Sequence, residues 1–227
     1  MIGSQILGTP EGHFRLAPTF AACWEEARVI VENGAASDVS PARMRLLLAA
    51  LEACNGRSIA SVSARDIAGK AGIRAASLYS HYPSKVELLA AAFTWSYTRF
   101  LERLVGQVAP GMDGDSLLSG LIRAHLEHDA QFRESGLLWR DSPDLETSRD
   151  PTVMELRARV FYLPQLYRRI VATILVENGV ADLLRPKAAI TVRILNDVDS
   201  WYEDPVQLPL DEAEQQCRRL IGAMIGA

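Results

Sequence analysis

Residues 64–85 constrain the fold more than any other part of this chain, because they read as two short helices held at an angle by one glycine. Ala64, Ile67, Ala68 and Ala71 recur at i, i+3, i+4 and i+7, which gives the first helix a single apolar stripe facing inward. Gly72 follows where a helix must end in the left-handed region, a conformation glycine enters without steric cost. Ile73 and Leu78 anchor the second helix, while Ala75, Ser77, Ser80 and His81 leave it a small, polar outer face. A face of that kind fits the major groove and reaches base edges. The pattern is a helix-turn-helix, and it implies binding to double-stranded DNA.

The overall charge of −4 is at odds with DNA binding until it is divided along the chain. Residues 42–99 carry eight Lys or Arg against Glu52, Asp66 and Glu87, a local +5, whereas residues 1–41 carry −3 and residues 100–227 carry −6. Positive charge is concentrated in the segment that holds the motif, as phosphate contact requires. The acidic remainder suits a part of the molecule that faces away from DNA.

At 227 residues the chain can form one large or two small domains, and 48% hydrophobic with 23% charged residues places it among globular proteins. No stretch approaches the roughly 18 unbroken apolar residues of a membrane span, and no signal-peptide charge pattern opens the chain. Cys23, Cys54 and Cys217 are odd in number and far apart, which fits neither a disulfide framework nor a metal-ligand spacing. A cytoplasmic protein with no membrane partner is the expectation.

The remaining periodicity is helical throughout and predicts an all-α fold. Ser40-Pro41 signals a helix start, with Met44, Leu47, Leu48, Leu51 and Cys54 as its apolar stripe. Ser84 with Glu87 three residues on reads as a capping box for a helix running to about 105. Further helices are predicted at about 116–134, 152–178, 186–202 and the C-terminus, with Pro164 bending the one at 152–178. Residues 1–41 form an acidic N-terminal extension with one helix at about 19–33, which fits packing on its own domain better than contact with phosphate. The domains expected are this extension, a DNA-binding domain at 42–99, and a helical effector-binding and dimerisation domain at 100–227.

The segment Leu78-Tyr79-Ser80-His81-Tyr82-Pro83-Ser84-Lys85, followed by Leu88-Leu89, closely resembles the end of the DNA-binding domain of TetR-family transcriptional regulators. Asp66-Ile67-Ala68 and Ala71-Gly72-Ile73 resemble the same family's segment upstream, at the same spacing. The resemblance implies a homodimer that presents two recognition helices to a palindromic operator, with half-sites about 34 Å apart. It also implies DNA contact by Ser63, Arg65, Arg74, Ala75, Ser77, Tyr79, Ser80, His81 and Lys85. Arg65 and Ser77 are the candidates for bases; Tyr79, His81 and Lys85 are candidates for phosphate, Lys85 with the free amides at the start of its helix. The competing roles are capping for Ser63, solvated surface for Arg65, core packing for Tyr79 and turn closure for His81. Two departures stand out. Arg74 occupies a position where the family has a capping Ser or Thr, and Ala75-Ala76 offer methyl groups but no hydrogen bonds.

The C-terminal half, through Gly136-Leu137-Leu138-Trp139-Arg140, Arg159-Val160-Phe161-Tyr162 and Ile194-Leu195-Asn196-Asp197, looks like the branch that regulates lipid or sterol catabolism and responds to acyl-CoA. That resemblance implies an apolar effector pocket, for which Trp139, Phe161, Tyr162, Leu166 and Trp201 are candidates against the alternative of ordinary core. Arg140, Arg159 and Arg193 are candidate anion partners or surface ion pairs. It further implies a four-helix dimer bundle made by the helices at 152–178 and 186–202.

His125 and His128, with Glu127 and Asp129, share a helix face but lack the further ligands of a zinc site; a solvated face is the expectation, with no metal and no cofactor. No nucleophile elbow, phosphate-binding glycine loop or paired acids point to an enzyme. The sequence therefore reads as a ligand-responsive regulator, with repression relieved by effector as the default. The alternative is a ligand-binding or interaction protein of the same fold that has lost sequence-specific DNA recognition.

Overall fold

Apolar spacing near 3.6 residues carries through to the tertiary level. The computed structural model describes residues 19–35, 39–54, 57–132, 148–198 and 209–226, and among these it contains ten α-helices and no strand. They are α1 (Phe20–Ala35), α2 (Pro41–Cys54), α3 (Ala64–Lys70), α4 (Ala75–Leu78), α5 (Lys85–Gln107), α6 (Gly114–Phe132), α7 (Pro151–Val160), α8 (Tyr162–Glu177), α9 (Leu184–Asn196) and α10 (Leu210–Ile225). A single 3-10 turn, Ile59–Ser61, leads into α3. None of the described helices is long and apolar enough to cross a membrane.

Two apolar cores share one helix. Ile67 and Ala68 of α3, Leu78 of α4 and Leu46, Leu47, Ala50 and Leu51 of α2 pack with Leu88, Leu89, Ala92 and Phe93 from the first half of α5. The second half of α5, with Tyr97, Phe100, Leu101 and Leu104, enters the other core with α1, α6, α8, α9 and α10. A 23-residue helix rises about 34 Å, so α5 is a continuous rod between the two groups. Sequence order does not decide membership: α7 packs Val153, Leu156 and Val160 on the α2–α4 side, and α1 packs on the far side.

The acidic extension is anchored by its helix. Phe20, Cys23 and Ala27 recur on the buried side of α1, the Trp24 indole N–H donates to the Val108 carbonyl at 2.6 Å, and Arg169 pairs with Glu26 at 2.6 Å. Residues 1–18 lie outside the described residues.

Two expectations are corrected. The single helix expected at 152–178 is divided: α7 ends at Val160 and α8 begins at Tyr162. Pro164 has no N–H to offer the Val160 carbonyl and its ring crowds that oxygen, so the break falls four residues before the proline. In α8 every residue from 162 to 175 is buried or half-buried within the chain. Exposed apolar side chains include Val176 near the end of α8, Ile190 on α9 and Leu220 on α10.

The second correction concerns α6. His125 and His128 do not lie on a solvated face; they are 1% and 0% exposed. His125 Nδ1 lies 3.1 Å from the Tyr167 hydroxyl, and Phe100 meets both imidazoles edge-on. Burial, with the Arg103 charge nearby, pushes the His128 pKa down to about 3, so the ring is neutral. Glu127 stands apart, half-buried and paired with Arg103 at 3.4 Å.

All three cysteines are buried, and burial raises the Cys54 and Cys217 thiols to about 12. Neither is a reactive thiolate.

Candidate nucleic-acid interface

The interface is built on the turn at Gly72, whose φ of +68° is the left-handed conformation the sequence requires there. The Ile73 amide donates back to the Ala68 carbonyl at 3.0 Å, closing the end of α3. Ser63 starts α3 with a reciprocal capping box: its hydroxyl accepts from the Asp66 amide at 3.2 Å while its own amide donates to Asp66 Oδ2 at 2.8 Å. The Ser63 amide and hydroxyl, with Arg57 beside them, hold the Asp66 carboxyl below the usual carboxylate range. Ser63 is thus committed to capping.

The second helix is one turn long. Arg74 occupies its N-cap with extended backbone and makes no side-chain cap bond, as the departure from Ser or Thr predicts. Leu78 is fully buried beneath it. Arg74, Ser77, Tyr79 and Ser80 are exposed, Ala75 and His81 are half-exposed, and the Tyr79 ring is 50% exposed. The Ser80 hydroxyl donates to the Ser77 carbonyl at 2.7 Å, which continues the α4 turn. Core packing is therefore not the main role of Tyr79. The buried tyrosine is Tyr82, with Arg43 stacked over its ring at 4.7 Å.

Ser84 caps α5 by accepting from the Glu87 amide at 3.1 Å, but the Glu87 carboxylate is engaged by Arg159 of α7 at 2.7 Å. Lys85 is half-buried, and its Nζ donates to the Val62 carbonyl at 2.9 Å.

The cations of this region divide into two groups. Arg57 pairs with Asp66, Lys70 with Glu52 and Arg99 with Glu102. Arg45, Arg65 and Arg74 make no ion pair or side-chain hydrogen bond with the described residues, and all three are exposed. Arg65 in the first turn of α3 and Arg74 at the N-cap of α4 put two of these exposed guanidinium groups on the helix-turn-helix itself, a charge arrangement that suits an anionic polymer.

Residues 46–92 match the family model for bacterial regulatory proteins of the tetR family. The chain carries a TetR-family DNA-binding domain. Among curated proteins it is similar to the HTH-type transcriptional regulator CymR of Pseudomonas putida, 30% identical over 78 residues. That match takes in 34% of this chain and 38% of the length of CymR. A TetR-like transcriptional regulator from Rhodococcus sp. RHA1 shares the fold with a TM-score of 0.64 at 21% identity, over 84% of this chain and all of that one. The regulator FadR from Bacillus subtilis, solved in complex with stearoyl-CoA, aligns with a TM-score of 0.58 at 16% identity, over 80% and 97% of the two chains. At these identities the structures establish a common TetR-like fold.

Of the candidate effector residues, the three that are described differ in burial. Leu166 is fully buried in the core of α1, α6 and α8, Phe161 is 52% exposed at the α7–α8 break, and Tyr162 is half-buried beside Arg169. Trp139 and Trp201, like Arg140, lie outside the described residues. Arg159 and Arg193 are in surface ion pairs with Glu87 and Asp197. The sequence did not single out the buried His125–Tyr167 contact, nor a cleft between α2 and α5. Each depends on which helices become neighbours.

Proposed function

We propose that this chain is a ligand-responsive transcriptional repressor that binds a palindromic operator as a homodimer. Residues 42–99 form the DNA-binding domain and residues 100–227 the effector-binding and dimerisation domain, with α5 as the link. The observation that carries this reading is the pair of exposed, unpaired cations Arg65 and Arg74 on a correctly closed helix-turn-helix. Ser77, Tyr79, Ser80 and His81 supply polar contacts beside them. Ala75 offers a methyl to thymine, and Lys85 acts from the start of α5.

An acyl-CoA is the effector class proposed, supported by the fold shared with a FadR that holds stearoyl-CoA. The ligand would act through its differential affinity for two settings of α5, typically about 1–3 kcal/mol of coupling. A second reading, an interaction protein without sequence-specific DNA recognition, draws on the single uncapped turn of α4.

The test is binding of the purified protein to DNA upstream of its own coding region at two salt concentrations, with and without long-chain and sterol-derived acyl-CoAs. Tight, salt-sensitive, specific binding released by one thioester supports the whole reading. Binding that no thioester releases removes the effector class alone. Specific binding that survives the Arg65→Ala, Tyr79→Ala double substitution removes the assigned interface, and no specific binding favours the second reading.

A further inference from the structure

The faces of α2 and α5 do not close on each other near the end of α1. Ala90, Ala91 and Thr94 put small side chains on one face of α5, and a half-open cleft of about 730 Å³ remains between that face and α2. Its volume lies within the roughly 300–1,000 Å³ of small-molecule sites. Met44 and Leu47 of α2 and the Trp95 side chain of α5 give it apolar walls, with Tyr82 among them.

Three charged side chains line the cleft: Arg43, Glu87 and Arg99. Glu87 is neutralised by Arg159 at 2.7 Å. Arg43 makes no ion pair with the described residues and lies over the Tyr82 ring. Arg99 pairs with Glu102 at 2.8 Å through Nη1, yet its Nε is buried without a hydrogen-bond partner among the described residues. A buried donor without a partner is costly, and the Arg43 guanidinium at the same cleft has no counter-ion among the described residues.

We infer that the cleft between α2 and α5 is a binding site for a small amphipathic anion, an apolar body with one carboxylate or sulfonate head. The apolar body lies against Leu47, Ala91 and Trp95, and the head meets Arg43 and Arg99. This site is separate from the acyl-thioester reading, since its walls come from α2 and the middle of α5 and not from the core around α6 and α8.

The test uses the full chain and 8-anilinonaphthalene-1-sulfonate, read by dye fluorescence. The wild type is expected to bind at one saturable site. The Arg43→Gln, Arg99→Gln double variant should bind at least tenfold more weakly, and Ala91→Phe, which fills the cleft, should abolish binding. Circular dichroism and melting curves establish that each variant is folded. Should Ala91→Phe not fold, the exposed Thr94→Phe replaces it. Equal affinity in wild type and folded variants, or no saturable binding to wild type, overturns the inference. Neither outcome depends on operator binding, so the two readings fail separately.

Discussion

Lys85 Nζ donates to the carbonyl of the fully buried Val62 at 2.9 Å, so the first residue of α5 holds the segment that enters α3. The bond sets the first helix of the reading head against the rod that reaches the other core. A charge-assisted bond to a buried carbonyl that water cannot easily replace contributes about 1–2 kcal/mol. Lys85→Met is expected to lower unfolding stability by that amount in a urea titration. Removal of an exposed arginine such as Arg45 should leave it within about 0.5 kcal/mol.

Arg65 and Arg74 are exposed and carry no intramolecular ion pair, so the folded protein does not need their charge. Each should appear in DNA binding and not in stability. For Arg65→Ala or Arg74→Ala, the slope of log K against log salt is expected to fall by about one if the lost contact is to phosphate. If Arg65 instead meets a guanine edge, its loss costs about 1–3 kcal/mol at one operator position. Fluorescence anisotropy over a salt series, with single-base operator variants, separates the two outcomes.

The two helix starts of the reading head make opposite predictions. Ser63 satisfies α3 through its capping box, so Ser63→Ala should cost about 1 kcal/mol of stability. Arg74 leaves the first amides of α4 without a side-chain acceptor while its backbone is already in the extended N-cap conformation. Arg74→Ser should therefore stabilise the protein by about 0.5–1 kcal/mol and weaken its DNA binding at the same time. Thermal melts and anisotropy on the same variant check both signs. A variant with weaker binding and no gain in stability would show that Arg74 is not a misplaced cap.

What could be read from the sequence was what short-range chemistry decides. Gly72 fixed the turn, Ser63 and Ser84 fixed two helix starts, and the Ala64–Ile67–Ala71 stripe fixed which side of α3 is buried. The misreadings came from long-range packing. Local polarity beside Glu127 and Asp129 points His125 and His128 towards water, but Tyr167 and Phe100 arrive from α8 and α5 to enclose them. The cleft at Arg43 and Arg99 was invisible for the same reason: no local pattern says that α2 and α5 meet with alanines between them.

The enclosed His128 makes the last prediction, an acid limb of stability with a definite sign. The ordinary imidazole value of 6.5 applies to the unfolded chain, and burial lowers it to about 3 in the fold. Between these values the unfolded state binds a proton that the folded state does not, so stability rises with pH across that window. The contribution is complete above about pH 6.5 and is lost as pH falls towards 3, at no more than about 1.4 kcal/mol per pH unit. His128→Gln cannot take up that proton in either state. Its unfolding free energy should fall less steeply than that of the wild type from pH 6.5 to 4.5, with the two curves parallel above pH 7. Urea titrations at half-unit pH intervals measure the difference, and parallel curves over the whole range would mean that His128 is protonated within the fold.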